Sequence, residues 1–202
     1  MRIGVLALQG GFDAHLRALG EVIAARGDAA AHAAVPVRTA AEIAACDGLV
    51  LPGGESTTQL KLIDRFGLLP ALDAHVAAGK PVLATCAGLI LAARAVAPVP
   101  QQVAQFGPDA PPQRSFGWLD VSVARNAFGA QVHSFEAVAD DSDLPLIFIR
   151  APRIVAVGPA ATVVHTWQGE PIHVRQGAVH GLTHHPELTA DRRIHRAVFF
   201  GA

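Results

Sequence analysis

Cysteine is scarce in this 202-residue chain, which carries only two. So few thiols exclude a disulfide framework and favour a reducing, cytoplasmic setting. Charge is scarce too. Asp, Glu, Lys and Arg make up 16% of the residues, and the net charge is −1. No run of Lys or Arg forms a basic stripe, so there is no electrostatic case for nucleic acid. Long apolar runs are also missing. The N-terminal MRIGVLALQGGFDAH reaches Gly10, Gly11 and Asp13 too early for a signal-peptide core or a membrane span. No other uncharged run approaches span length, so a soluble chain away from membranes is expected. Apolar residues, by contrast, make up 51% of the chain, and a sequence of this length can bury a substantial core.

The first half alternates in the manner of an α/β protein. Ile3–Leu8, Gly48–Pro52 and Pro81–Thr85 read as continuous buried strands. Between them, His15–Ala25, Glu42–Cys46, a segment from Ser56 and Leu68–Ala78 carry helical spacing. Ser56 with Gln59 has the form of a capping box. Continuous strands alternating with helices imply a parallel sheet covered on both faces. Residues 97–115, rich in proline and without periodicity, read as an exposed, mobile loop inside one domain spanning 1–202. Beyond Trp118, short β segments follow: 119–123, 131–137, 146–149, 153–157, 162–166, 172–175 and 179–183. Gln168-Gly169 and Gln176-Gly177 read as hairpin turns. Thr189–Phe200 reads as a closing helix capped by Thr189.

The candidate chemistry starts at Pro81–Arg94, PVLATCAGLILAAR, where a buried strand meets a helix at Cys86. Two readings stand. Cysteine is a small hydrophobe and is often buried. A strand-to-helix turn can equally expose a nucleophile at the carboxyl edge of a sheet, beside a helix N-terminus that favours a thiolate. Ala84 and Gly88, two places to either side, are small enough for such an elbow, and the Ala87 N–H would be free to meet an oxyanion. A cysteine nucleophile needs a base. Gly181–Leu188 supplies His184 and His185, followed by Pro186 and Glu187. Adjacent strand residues face opposite sides, so only one histidine can serve Cys86, and Glu187 is placed to orient His185. His180, His184 and His185 lack an i, i+4 pair, so no metal is expected. Gly53-Gly54-Glu55-Ser56, on the second strand-to-helix turn, is either an ordinary tight turn or a loop whose backbone approaches an anionic ligand.

Taken in order, Leu51–Ser56 (LPGGES), Thr85–Gly88 (TCAG) and His185–Leu188 (HPEL) are similar to the motifs of class I, triad-type glutamine amidotransferases. With IGVLALQG at the start, Arg125–Gly129, Ser134–Ala137 and Phe148–Pro152, the chain resembles the glutaminase-subunit family of pyridoxal 5′-phosphate synthases. The resemblance covers all but the 97–115 loop and the Ala-rich segment near 28–36. It implies a three-layer α/β/α sandwich of the flavodoxin-like kind, with a mainly parallel sheet and added antiparallel strands in the C-terminal half. It also implies hydrolysis of L-glutamine to glutamate and ammonia through a glutamyl thioester. The ammonia would pass to a (β/α)8 synthase subunit, within a large hetero-oligomer that makes pyridoxal 5′-phosphate (vitamin B6) from a pentose and a triose phosphate. No metal or organic cofactor is implied.

By the same resemblance, Cys86 is the nucleophile, His185 the general base and acid, and Glu187 its orienter. The amides of Gly54 and Ala87 form the oxyanion hole. Gly54, Glu55, Ser56, Arg125, Ile149 and Arg150 hold glutamine, the guanidiniums suiting its α-carboxylate. Gln9-Gly10-Gly11 resembles the partner-facing loop. Ala84 in place of glycine, His184 in place of an aromatic residue and a short C-terminal helix depart from the family pattern. A stand-alone cysteine hydrolase or protease of related architecture is the alternative activity, and a non-catalytic module is a second rival.

Overall fold

The computed structural model describes residues 1–98, 104, 112–125 and 135–201. Five strands run parallel at its centre: β1 (Arg2–Leu6), β2 (Ala33–Val37), β3 (Gly48–Leu51), β4 (Val82–Thr85) and β12 (Val179–Leu182). Two more, β10 (Thr162–Trp167) and β11 (Glu170–Gln176), continue antiparallel from β12. The resulting order is β10-β11-β12-β4-β3-β1-β2.

Side-chain alternation along these strands builds two cores, one per face. Ile3, Val5, Val50, Leu83 and Leu182 point to one face, where they meet Leu19 of α1 (Phe12–Ala24) and Ile194, Val198 and Phe199 of α6 (Arg193–Phe200). Leu6, Leu49, Leu51, Val82 and Ala84 point to the other. There they meet Ile43, Ile63, Leu72 and Leu89 from α2 (Ala40–Ala44), α3 (Ser56–Arg65), α4 (Leu69–Ala77) and α5 (Ala87–Ala92). The result is the three-layer arrangement expected. A three-stranded sheet, β5 (Ala93–Ala97), β6 (Leu119–Ala124) and β9 (Arg153–Val157), joins the second layer, and a hairpin of β7 (Phe135–Val138) and β8 (Pro145–Phe148) joins the first.

Register sets the site's position. Leu51 pairs with Ala84 and Leu182 with Thr85, so β3, β4 and β12 end together at one carboxyl edge. The residues immediately beyond, Gly53–Ser56, Cys86 and His185, therefore converge there, where ligands of open α/β sheets bind.

Several boundaries differ from the sequence reading. The N-cap of α3 is Glu55, whose carboxylate accepts the Thr57 and Thr58 amides, so Ser56 is the first helical residue. Thr189 does not cap α6. It closes a 3-10 turn at Pro186–Leu188, and its hydroxyl accepts the Asp191 N–H. The β11–β12 hairpin turns on Gly177-Ala178, with Gln176 still paired to Val179. Two strands went unread. β2 carries Pro36, tolerated because β2 lies at the sheet edge. β5 follows α5 without a break. Most of the proline-rich 97–115 loop, residues 126–134 and hence the start of the 131–137 segment lie outside the described residues.

Candidate active site

Cys86 follows β4 directly and serves as the N-cap of α5. Its φ of 47° lies in the left-handed region, which a non-glycine residue occupies at a cost of about 1–3 kcal/mol. The conformation is held from both sides. The Cys86 N–H donates to Leu182 O at 2.8 Å, and a Cβ at Gly88 would lie 2.2 Å from Leu51 O. Only glycine at 88 lets α5 approach β3 this closely. Ala84 is fully buried in the core and pairs in register with Leu51 and Gly181 on either side.

Facing the thiol is a buried pair. His185 Nδ1 lies 2.7 Å from Glu187 Oε1, and the side chains are 10% and 1% exposed. Burial opposes a charge on His185, but hydrogen bonding to the Cys86 sulfur and to Glu187 outweighs it and raises the imidazole to about 10. Burial likewise opposes the Glu187 carboxylate, but His15 and His185 outweigh it and bring Glu187 down to about 2. The pair is thus an imidazolium–carboxylate at neutral pH. Gly53 makes the approach sterically feasible. A Cβ there would lie 2.4 Å from His185 Cε1 and 3.4 Å from Cys86 Cβ.

His184 and His185 both lie beyond the end of β12, so strand alternation is not what separates them. The His184 ring is fully buried, edge-on to Phe148 with centroids 6.0 Å apart. Burial lowers it to about 3 and keeps it neutral.

The glycine turn is stapled to the N-terminal loop. Gly11 N–H donates to Gly53 O at 3.0 Å, Glu55 N–H to Gln9 Oε1 at 2.9 Å, and Gln59 Nε2 to both Gln9 O and Pro52 O. At Gly54 φ is 155°, and a Cβ would meet Gln9 Oε1 at 2.6 Å. Ala87 supplies the first amide of α5, which has no acceptor within its own helix. Beside these amides opens a pocket of about 70 Å³, continuous with solvent, lined by Gly54, Glu55, Ser56, Cys86, Ile90, Arg125, Ile149 and Arg150. The six residues expected to hold substrate thus line one pocket together with Cys86. Cys86 Sγ lies 3.9 Å from Ile149 O, and Arg150 adopts a φ of 46°. Burial resists ionisation of Glu55, but the Thr58 and Thr57 hydrogen bonds outweigh it and keep the carboxylate charged. Arg125 lies 3.3 Å from Glu55 Oε1. The pocket therefore carries a carboxylate and guanidinium groups near each other, a pattern suited to an amino acid's two charged ends.

Sequence reasoning missed three contributors. Gln113 Oε1 accepts from Ser56 Oγ at 3.0 Å and from Arg125, bracing the pocket wall from a stretch with no periodicity to reveal it. Ile90 lines the pocket one turn into α5. His15 stands behind Glu187, at 3.4 Å from Oε2. Its position on the apolar stripe of α1, with Ala18, Leu19 and Val22, was a readable sign of burial.

A sandwich that carries its cysteine elbow at the carboxyl edge of a mainly parallel sheet falls in the glutamine amidotransferase class. Solved structures agree. One described as a glutamine amidotransferase superposes with a TM-score of 0.80 at 35% identity, covering 97% of this chain and 96% of its own. A glutamine amidotransferase from Thermotoga maritima shares the fold at a TM-score of 0.58 and 15% identity. Within that class, the chain belongs to the SNO glutamine amidotransferase family, whose model matches residues 5–200. It is similar to pyridoxal 5′-phosphate synthase subunit PdxT of Haloarcula marismortui, 47% identical over 99% of this chain and 96% of that protein. The subunit of the same name from Deinococcus radiodurans is 44% identical over 100% and 96%.

Proposed function

We propose that the chain is the glutaminase subunit of a pyridoxal 5′-phosphate synthase, hydrolysing L-glutamine and supplying ammonia for vitamin B6 synthesis. The observation that carries this reading is the strained Cys86 elbow facing a buried His185–Glu187 pair, in the wall of a pocket with charges for both ends of an amino acid. Identity of 44–47% to PdxT subunits over nearly the whole chain supports the assignment of the product's destination.

The chemistry follows from the charges. Glutamine lies with its α-carboxylate toward Arg125 and Arg150 and its α-ammonium toward Glu55, which points its side-chain amide at Cys86. The thiolate attacks the amide carbon. The amides of Gly54 and Ala87 hold the resulting oxyanion, where one such donor is worth about 100- to 1000-fold in rate. The His185 imidazolium gives its Nε2 proton to the nitrogen as the C–N bond breaks, releasing ammonia and leaving a γ-glutamyl thioester on Cys86. Neutral His185 then takes a proton from water, hydroxide adds to the thioester, and glutamate leaves as the thiolate re-forms. Glu187 orients the ring and stabilises its positive form throughout. One domain carries all these groups, and the ammonia passes to a (β/α)8 synthase subunit docked near the Gln9–Gly11 loop. The test is ammonia release from glutamine, measured with the synthase partner present, for the native chain and Cys86→Ala. Native turnover with none in the variant is expected. Equal release from both would overturn the assignment.

A further inference from the structure

Behind the triad lies a buried polar chain that the reaction as written does not use. Glu187 Oε1 is committed to His185, while Oε2 of this 1%-exposed side chain has no hydrogen bond of good geometry among the described residues. The group placed to serve it is His15 Nε2, from α1, at 3.4 Å. His15 Nε2 also lies 3.1 Å from Thr85 Oγ1, the residue just before Cys86, and His15 Nδ1 lies 3.1 Å from His195 Nε2 on α6. His15 and His195 are both fully buried.

We propose that His15 is a positioning residue of the glutaminase reaction, donating from Nε2 to the second oxygen of Glu187 and having its tautomer fixed from behind by His195. The inference rests on the function proposed above.

The proton count supports one arrangement. Were Nε2 bare, it could accept from the Thr85 hydroxyl, but its lone pair would also face the buried Glu187 oxygen, which would go without a donor. With the proton on Nε2, His15 Nδ1 must accept, so His195 donates from Nε2. The unpartnered atom left at the end of the chain, His195 Nδ1, is then a lone pair and not a stranded N–H. Both rings stay neutral. Burial dominates in lowering His15, and it lowers His195 to about 3. The groups acting on Glu187 and its neighbours are His184 and His185 from its own segment, His15 from α1, His195 with Arg192 from the C-terminal region, and Cys86 through His185. Besides the backbone N–H of Glu187 itself, which also favours the carboxylate, His15 is the one of these groups whose ring nitrogen lies near Oε2. A contact of 3.4 Å is long at rest, and catalytic hydrogen bonds commonly tighten only when substrate is bound.

The test uses the full chain with its synthase partner. It compares native protein with His15→Leu, which has no donor, His15→Gln, whose amide N–H reaches about where Nε2 does, and His15→Asn, which stays near His195. The readouts are kcat and KM for glutamine across pH, and the rate of Cys86 alkylation by iodoacetamide across pH. For His15→Leu the expectation is a loss of about tenfold or more in kcat, with KM little changed. Its acid limb of alkylation should rise by about one pH unit, because an unsupported Glu187 is protonated more easily. His15→Gln should recover most of both losses. If the leucine variant does not fold, Gln near the native rate with Asn at least tenfold lower supports the proposal. A folded His15→Leu with the native kcat and pH profile overturns it, as do equal losses in Gln and Asn. A native chain that releases no ammonia from glutamine would instead overturn the proposed function itself.

Discussion

At the residue scale, the elbow and its partner histidine carry most of the account. Cys86 holds a φ of 47° although it is not glycine, and Gly53 leaves the space through which His185 approaches it. Gly53→Ala would place a methyl 2.4 Å from His185 Cε1. The ring must swing away, and a displacement near 1 Å costs about 100-fold in rate. A steady-state assay is therefore expected to show about that loss with a near-native melting temperature, and a native kcat would mean that His185 does not act from where it sits. His185→Asn is expected to abolish turnover, since it removes both the acid and the base. His184→Asn has a different expected phenotype. The native ring fills a sealed site against Phe148, so shortening it should cost about 1–3 kcal/mol of stability while leaving kcat per folded molecule within about twofold of native. Denaturant titration alongside the assay separates the two effects, and a selective loss of kcat in His184→Asn would reverse the roles.

At the element scale, what could be read from the sequence depended on whether local pattern and tertiary role agreed. β1, β3 and β4 were legible because strands buried on both faces are continuously apolar. β2 was not. AAVPV has little apolar bulk, and its proline is admissible only because the strand lies at the sheet edge, a fact of topology and not of composition. β5 was hidden by its direct join to α5, where Ala92-Ala93 suits either element. The start of α3 at Ser56 was legible but its cap was not, because Ser56 is the preferred cap type, whereas Glu55 carries the role through its carboxylate's two bonds to Thr57 and Thr58. For the candidate site, Cys86, His185 and the glycine turn stood out because each interrupts a regular element. Gln113 and His195 did not. They reach the site region from segments distant in sequence, and no local signal marks a residue whose partners lie that far away.

At the scale of the whole molecule, the unusual feature is a set of buried neutral histidines. Burial is the leading cause of the lowering at His15, His75, His173, His180, His184 and His195, with His180 near 4 and His184 and His195 near 3. The unfolded chain takes up protons at these groups below about pH 6.5 while the folded chain does not. Stability must therefore fall as pH drops from 6.5, by up to about 1.4 kcal/mol per pH unit for a histidine that stays neutral throughout, as His184 and His195 do. His185 works in the opposite direction. Raised to about 10, its contribution is complete below 6.5 and is lost as pH rises toward 10. Urea midpoints at pH 5, 6.5 and 8.5 are expected to peak at the middle value, with the steeper fall on the acid side. A midpoint unchanged between 6.5 and 5 would mean that these rings are solvated. The central claim is that this fold presents Cys86 as the nucleophile for glutamine. It is tested most directly by rapid acid quench of the chain turning over isotopically labelled glutamine with its synthase partner, followed by peptide mapping. Cys46 is fully buried, its thiol donates to Glu42 O at 3.2 Å, and burial pushes its pKa up, so it should stay unmodified. A labelled γ-glutamyl thioester on the peptide containing Cys86 alone is expected, whereas labelled glutamate formed with no adduct there, or with the adduct on Cys46, would contradict the role of Cys86.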